Sequence, residues 1–216
     1  MIQRMVEEIK SKYACKTQDI GVFEKVVIDG ATFRMSAYNM KGLGRVATVE
    51  MKRLLGGWDM QSLIITPFEK DMPIYYYNRH REKGHYIYRV EVFDTQFHPI
   101  DAAPMAEVVE KYSSLPDEPQ NERWYDGYKL PVCAVKKVEK KRKEDLSPMI
   151  WEHFCAYMDM LEKAPECKPV EKKKKVNAFV KELCEKSGIA IVEIFIANYG
   201  DAVTAKLANE VLFGLK

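Results

Sequence analysis

The sequence predicts an α+β protein: an α/β/α sandwich whose central, mainly antiparallel sheet is flanked by helices. Three observations carry this. β-rich runs follow one another from residue 23 to about residue 104 with no helical pattern between them. Amphipathic helical patterns are held back to the two ends of the chain. Asp29-Gly30, which joins the first two runs, is the dipeptide favoured in two-residue hairpin turns.

Residues 2–13 place Ile2, Met5, Val6 and Ile9 at helical spacing, a first amphipathic helix. Residues 23–28 and 31–38 form the hairpin around Asp29-Gly30. Residues 45–52 alternate, with Val46, Thr48 and Glu50 on one face and Ala47, Val49 and Met51 on the other. Gly56-Gly57 then turns the chain into DMQSLIITP, an apolar strand that ends at Pro67. A proline-led strand, PIYYYN, and a β-branched strand over residues 86–95 follow, and residues 99–104 close the sheet region. Four to seven strands are expected.

The second half differs. SSLPDEPQN, residues 113–121, reads as a surface loop, and PVCAV as a short strand. KKVEKKRKE, residues 136–144, is a charge run, and Ser147-Pro148 opens a helix over residues 150–161. ECKPVEKKKK, residues 166–175, reads as a solvated linker before two further helices, 176–187 and 189–213. With no repeat and no sign of a second core, a single domain over residues 1–216 is expected.

At 216 residues, 47% apolar and 31% charged, the composition is that of an ordinary soluble protein. No apolar run reaches the roughly 18 residues of a membrane span, and MIQRMVEEIKSKYACK lacks the apolar centre of a signal peptide, so a cytoplasmic protein without a membrane partner is expected. A net charge of +2 gives no general attraction to nucleic acid, and the lysine-rich runs contain no aromatics for base stacking. If functional, those runs suit an acidic protein partner. The five cysteines are widely spaced without a CxxC, and the four histidines do not pair at ligand spacing, so no disulfide framework and no metal site is expected. RHREKGH reads as a solvated hairpin loop, although His80 or His85 could serve in acid–base chemistry.

The strongest functional signal is aromatic. Tyr75, Tyr76, Tyr77, Tyr86, Tyr88 and Phe93 crowd two neighbouring strands, and Trp58 precedes them. Alternation commits half of them to a core; the others could form a flat wall for a large planar ligand.

These segments resemble, in order, the ferredoxin-dependent bilin reductases. DMQSLIITP resembles the family's proline-ended strand, MPIYYYN its Leu-Pro segment, and YIYRVEVFDT its next strand with terminal aspartate. ERWYDGYKLPVCAVKK is similar to its tryptophan-to-basic stretch. FCAYMDMLEKAPE resembles its helix with a Tyr-x-x-apolar-apolar ending, and NYGDAVTAKLANEVLFG its C-terminal ending, with Tyr199 in place of phenylalanine. The resemblance implies a helix-flanked antiparallel sheet that holds a linear tetrapyrrole. It implies no permanently bound cofactor, with reduced ferredoxin, or another acidic electron-transfer protein, as the electron donor.

This sequence departs from the family where its acids sit. The catalytic histidine position falls on Ser62 and the aspartate position on Asn78. An alternative aspartate near the last helix falls on Ser187, Gly188 and Ile189. Asparagine can hydrogen-bond a pyrrole but cannot give it a proton, and serine is a poor acid near neutral pH. The candidate catalytic residues are therefore Asn78, Ser62, Asp94 and His80, with Asp59 and Glu193 as further carboxylates. Tyr75, Tyr77 and Tyr88 are candidate pigment contacts, and Arg34, Arg45 and Arg89 candidate propionate partners. Three functions follow: reduction of an open-chain tetrapyrrole, a non-catalytic tetrapyrrole carrier, or a scaffold that docks an acidic partner.

Overall fold

Asp29 and Gly30 both take positive φ, 48° and 76°, the left-handed pair that a tight hairpin needs. Around that turn β2 (Lys25–Ile28) pairs with β3 (Ala31–Met40), and β3 continues the sheet through β4 (Gly44–Arg53), β5 (Asp59–Pro67), β6 (Ile74–Glu82), β7 (His85–Phe93) and β8 (Ala134–Glu139). A short strand, β1 (Cys15–Gln18), pairs with the other end of β3. Every pairing among these eight strands is antiparallel. The computed structural model describes residues 1–53 and 59–216; Gly56-Gly57 and Trp58 lie outside the described residues.

Both faces of the sheet are covered, which explains why β5 is buried without interruption from Ser62 to Pro67. One face packs against α1 (Ile2–Lys12) and α3 (Ser147–Lys163), through Ile2, Met5 and Ile9 and through Phe154, Tyr157 and Leu161. The other packs against α4 (Pro169–Glu185), α5 (Ala190–Lys206) and a π-helical turn over Leu207–Leu212, through Phe179, Leu183, Val192, Phe195 and Leu212. The helices thus flank the sheet as the terminal position of the helical patterns predicts.

Four local readings are corrected. His80 to His85 do not form a loop: β6 and β7 run through to a two-residue turn at Lys83-Gly84, again with both φ positive. A further helix, α2 (Ala103–Lys111), follows Phe93, with proline in its first turn and Met105 as its buried anchor. The expected linker at 166–175 contains the first turns of α4. Charge alone could not distinguish the two, because lysine and glutamate are good helix formers. Lys172 is fully buried, its Nζ donating to Asp71 at 3.2 Å and to the Thr95 carbonyl at 2.8 Å. β8 likewise reaches into the 136–144 charge run, burying Lys136, whose Nζ donates to the Leu115 carbonyl at 3.0 Å and pairs with Asp117 at 2.7 Å. Two of the lysines read as solvated are therefore structural. All five cysteines are unpaired.

Candidate functional site

Alternation along β6 decides what faces what. Ile74, Tyr76, Asn78 and His80 point toward α4 and α5; Tyr75, Tyr77 and Arg79 point toward α1 and α3. Register then aligns three polar side chains side by side: Ser62 of β5 pairs with Asn78 of β6, and Asn78 pairs with Arg89 of β7. Asn78 and Arg89 form the floor of a cavity of about 270 Å³, together with Met51, Met60, Tyr76 and His80, and Ser62 is buried directly beside Asn78. Ala190, Glu193 and Ile194 from the first turns of α5 close it from above, and Arg123 closes it from the side.

Hydrogen bonds centred on Asn78 tie Ser62 to His80. Asn78, 3% exposed, donates through Nδ2 to Ser62 Oγ at 2.8 Å, and its Oδ1 lies 3.2 Å from His80 Nδ1. An amide oxygen only accepts, so this contact places the His80 proton on Nδ1 and leaves Nε2 free to take or give a second one. Burial, reinforced by the positive charge of Arg89, holds the imidazole below its ordinary pKa. Burial pushes the Tyr76 phenol well up, with Arg89 pulling weakly the other way. Tyr76 stacks on Phe93 with ring centres 6.4 Å apart.

Two carboxylates stand near the cavity, and both are paired. Glu193 meets Arg123 Nη1 at 2.9 Å, and the same guanidinium donates to the Gly188 carbonyl at 3.2 Å. Glu91, beside Tyr76 and fully buried, meets Lys129 Nζ at 2.8 Å and lies 3.8 Å from Arg89 Nη1. Arg123, Glu91, Lys129 and the two methionines were not singled out from the sequence, and Tyr76 was named in the aromatic cluster but not among the candidate contacts. Strict alternation from Asn78 selects Tyr76 and rejects both its neighbours.

The structure therefore brings together Ser62, Asn78, His80, Arg89 and Glu193 but not the other candidates. Tyr75, Tyr77 and Tyr88 are buried on the opposite face; Tyr75 packs on Tyr157 with ring centres 4.7 Å apart. They are core residues because an odd step along a strand reverses the face: Tyr75 and Tyr77 are an odd number of residues from Asn78 along β6, and Tyr88 is one residue from Arg89 along β7. Arg34 is exposed on that same far face, beside Glu50 and Gln61. Arg45 shares the face of Asn78 but pairs with Thr66, four residues along β5 from Ser62, about 13 Å away. Asp94 is exposed beyond the far end of β7, where its N–H donates to the Tyr128 carbonyl. Asp59 forms an ion pair with Arg79. Of the remaining histidines, His153 is buried under α3, its pKa lowered by burial to about 4, and His98 lies against Asp71. Among the described residues no three His, Cys, Asp or Glu side chains converge as metal ligands.

A mainly antiparallel sheet flanked by helices in this arrangement matches the bilin reductase fold. Among solved structures the chain is similar to phytochromobilin synthase from tomato in complex with biliverdin. The match has a TM-score of 0.80 and 10% sequence identity, and covers 99% of this chain and 82% of that one. No family model matches the sequence, and no curated protein matches it.

Proposed function

We propose that this protein binds an open-chain tetrapyrrole against Ser62, Asn78 and Arg89, under α5, and reduces it with single electrons from reduced ferredoxin. The observation that supports this best is the Ser62–Asn78–His80 chain of hydrogen bonds on the floor of the cavity. Asn78 and Ser62 hold pyrrole N–H and carbonyl groups; His80 Nε2, when protonated, delivers the proton that follows an electron. Burial lowers the His80 pKa, so only a minor fraction of the ring carries the second proton near neutral pH, and the step is expected to speed up as pH falls. Arg89, on the floor, and Arg123, at the side, can pair with the propionates as planar guanidinium forks.

A cavity of 270 Å³ is just below the roughly 300–1,000 Å³ of ordinary ligand sites. It shares Met51 and Met60 with a larger hollow of about 850 Å³ at the same end of the sheet, lined by Lys25, Arg53, Arg79 and Arg81. A long pigment would extend from one into the other, keeping its carboxylates among these cations. The exposed basic turn Lys140–Leu146 offers a face for an acidic electron donor.

One observation favours the carrier reading instead: Asn78 and Ser62 are not acids, and Glu91 and Glu193 are already paired. A single experiment separates the readings. Biliverdin is added, the absorbance spectrum recorded, and chemically reduced ferredoxin supplied to wild type and His80→Gln. A red-shifted or sharpened spectrum followed by bleaching in wild type, slowed in the variant, supports reduction with His80 as the acid. A shift without bleaching supports the carrier, and no shift in wild type overturns both.

A further inference from the structure

Away from the pigment cavity, a second hollow of about 560 Å³ opens between β1, β3, β4, the start of α4 and the C-terminal segment. Its floor contains an unusual group. Arg45 is 3% exposed, yet neither its Nε nor its Nη1 has a hydrogen-bond partner. Its direct cross-strand neighbour on the same face, Thr66, is fully buried with its hydroxyl likewise unpartnered. The backbone at Gly214 lies so close that an added Cβ would fall 2.3 Å from Arg45 Nε, so only glycine lets the C-terminal segment lie against the guanidinium. Leaving a buried cation and a hydroxyl without partners costs several kcal/mol in general, and native structures rarely tolerate it unless something else completes them.

The walls indicate what completes them. Lys16, Lys41, Lys173 and Lys216 line the same hollow. The one carboxylate side chain among the lining residues, Glu69, accepts the Gly42 N–H at 3.1 Å. Desolvation by the surrounding protein lowers the pKa of Arg45, as expected for a guanidinium that lacks a counter-charge. We propose that Arg45 and Thr66 form the floor of a binding site for the phosphate group of a small phosphorylated molecule. The guanidinium supplies parallel N–H donors to two phosphate oxygens and the threonine hydroxyl donates to one of them. The four lysines favour a dianion over a monoanionic carboxylate because five positive side chains face a single side-chain carboxylate. The volume falls within the range of small-molecule sites.

The test is isothermal titration calorimetry of the full chain with inorganic phosphate, with acetate as comparison anion at matched ionic strength. Saturable binding of phosphate is expected in wild type. Arg45→Met keeps the side-chain bulk, removes the unpaired buried charge and stays folded by circular dichroism; it loses phosphate affinity by about tenfold or more. Thr66→Val, which keeps shape and charge, loses a few-fold. Heats that track ionic strength without saturation, or equal affinity in wild type and Arg45→Met, would overturn the site. Acetate binding as tightly as phosphate would overturn the dianion assignment. If Arg45→Met does not fold, Thr66→Val decides, and an unchanged affinity there overturns the proposal.

Discussion

Replacing Asn78 by aspartate introduces a carboxylate between His80 and Arg89 without changing side-chain shape. The amide oxygen it replaces lies 3.2 Å from His80 Nδ1, and Arg89 is the cross-strand neighbour. Two effects compete for the new acid: desolvation on a 3%-exposed position raises its pKa, while the two neighbouring basic groups lower it. At about 4 Å and an effective dielectric near 20, a unit charge pair is worth about 4 kcal/mol before solvent screening. His80 is only half-buried, so solvent screening makes the figure smaller, but its sign is fixed: the new carboxylate raises the imidazole pKa. Wild-type His80 titrates below its ordinary value and is neutral near pH 7. In Asn78→Asp the imidazole–carboxylate pair keeps a proton there.

The sign of the stability change reverses accordingly. In wild type the folded-state pKa of His80 is lowered, so its contribution is fully present above the unfolded value near 6.5 and is lost as pH falls below it. In the variant the folded pKa is raised, so the contribution is present below 6.5 and lost as pH rises through the new value. The assay is an NMR titration of the His80 ring in both proteins, with the unfolding temperature followed across pH 5–8 in parallel. If the pigment is reduced, single-turnover rates should rise by about a hundredfold, the usual value of a positioned acid. An unshifted His80 titration would refute the reasoning, because it would mean that His80 and Asn78 are not in contact.

Tyr76→Leu should weaken biliverdin binding, whereas Tyr88→Phe should leave it unchanged, because the two rings lie on opposite faces of the sheet; absorbance titration distinguishes them. Lys129→Met leaves the fully buried Glu91 without its 2.8 Å partner and should destabilise the fold by about 3 kcal/mol, read from urea unfolding. Asp71 is acted on by burial, which raises its pKa, but the Phe97 N–H, His98 and Lys172 together hold it below its ordinary value. Its contribution is therefore present above pH 4 and lost as pH falls through the folded pKa, and Asp71→Asn should flatten the acid limb of the stability profile measured by circular dichroism.

The antiparallel run of strands and the terminal position of most helices were legible in the chain because they rest on local periodicity, whereas Ser62 and Asn78 were singled out through the resemblance to a known family. Alternating residues fix which side chains share a face, turn dipeptides fix hairpins, and 3.6-residue spacing fixes helices. Three things were not legible. Charge-rich segments look alike whether solvated or buried, so Lys136 and Lys172 disclosed their roles only when Asp117 and Asp71 came within reach. The faces of the aromatic strands were readable relative to Asn78, but which face a helix would seal as core and which would keep a cavity depended on α3 and α5, elements about seventy or more residues further along the chain. Arg45 reads as a candidate propionate partner beside Arg34 and Arg89; only the tertiary structure, with Gly214 packed against it from the far end of the chain, makes it a buried cation at a separate hollow. Local sequence determines direction along an element, whereas burial and charge pairing depend on what the rest of the chain brings against it.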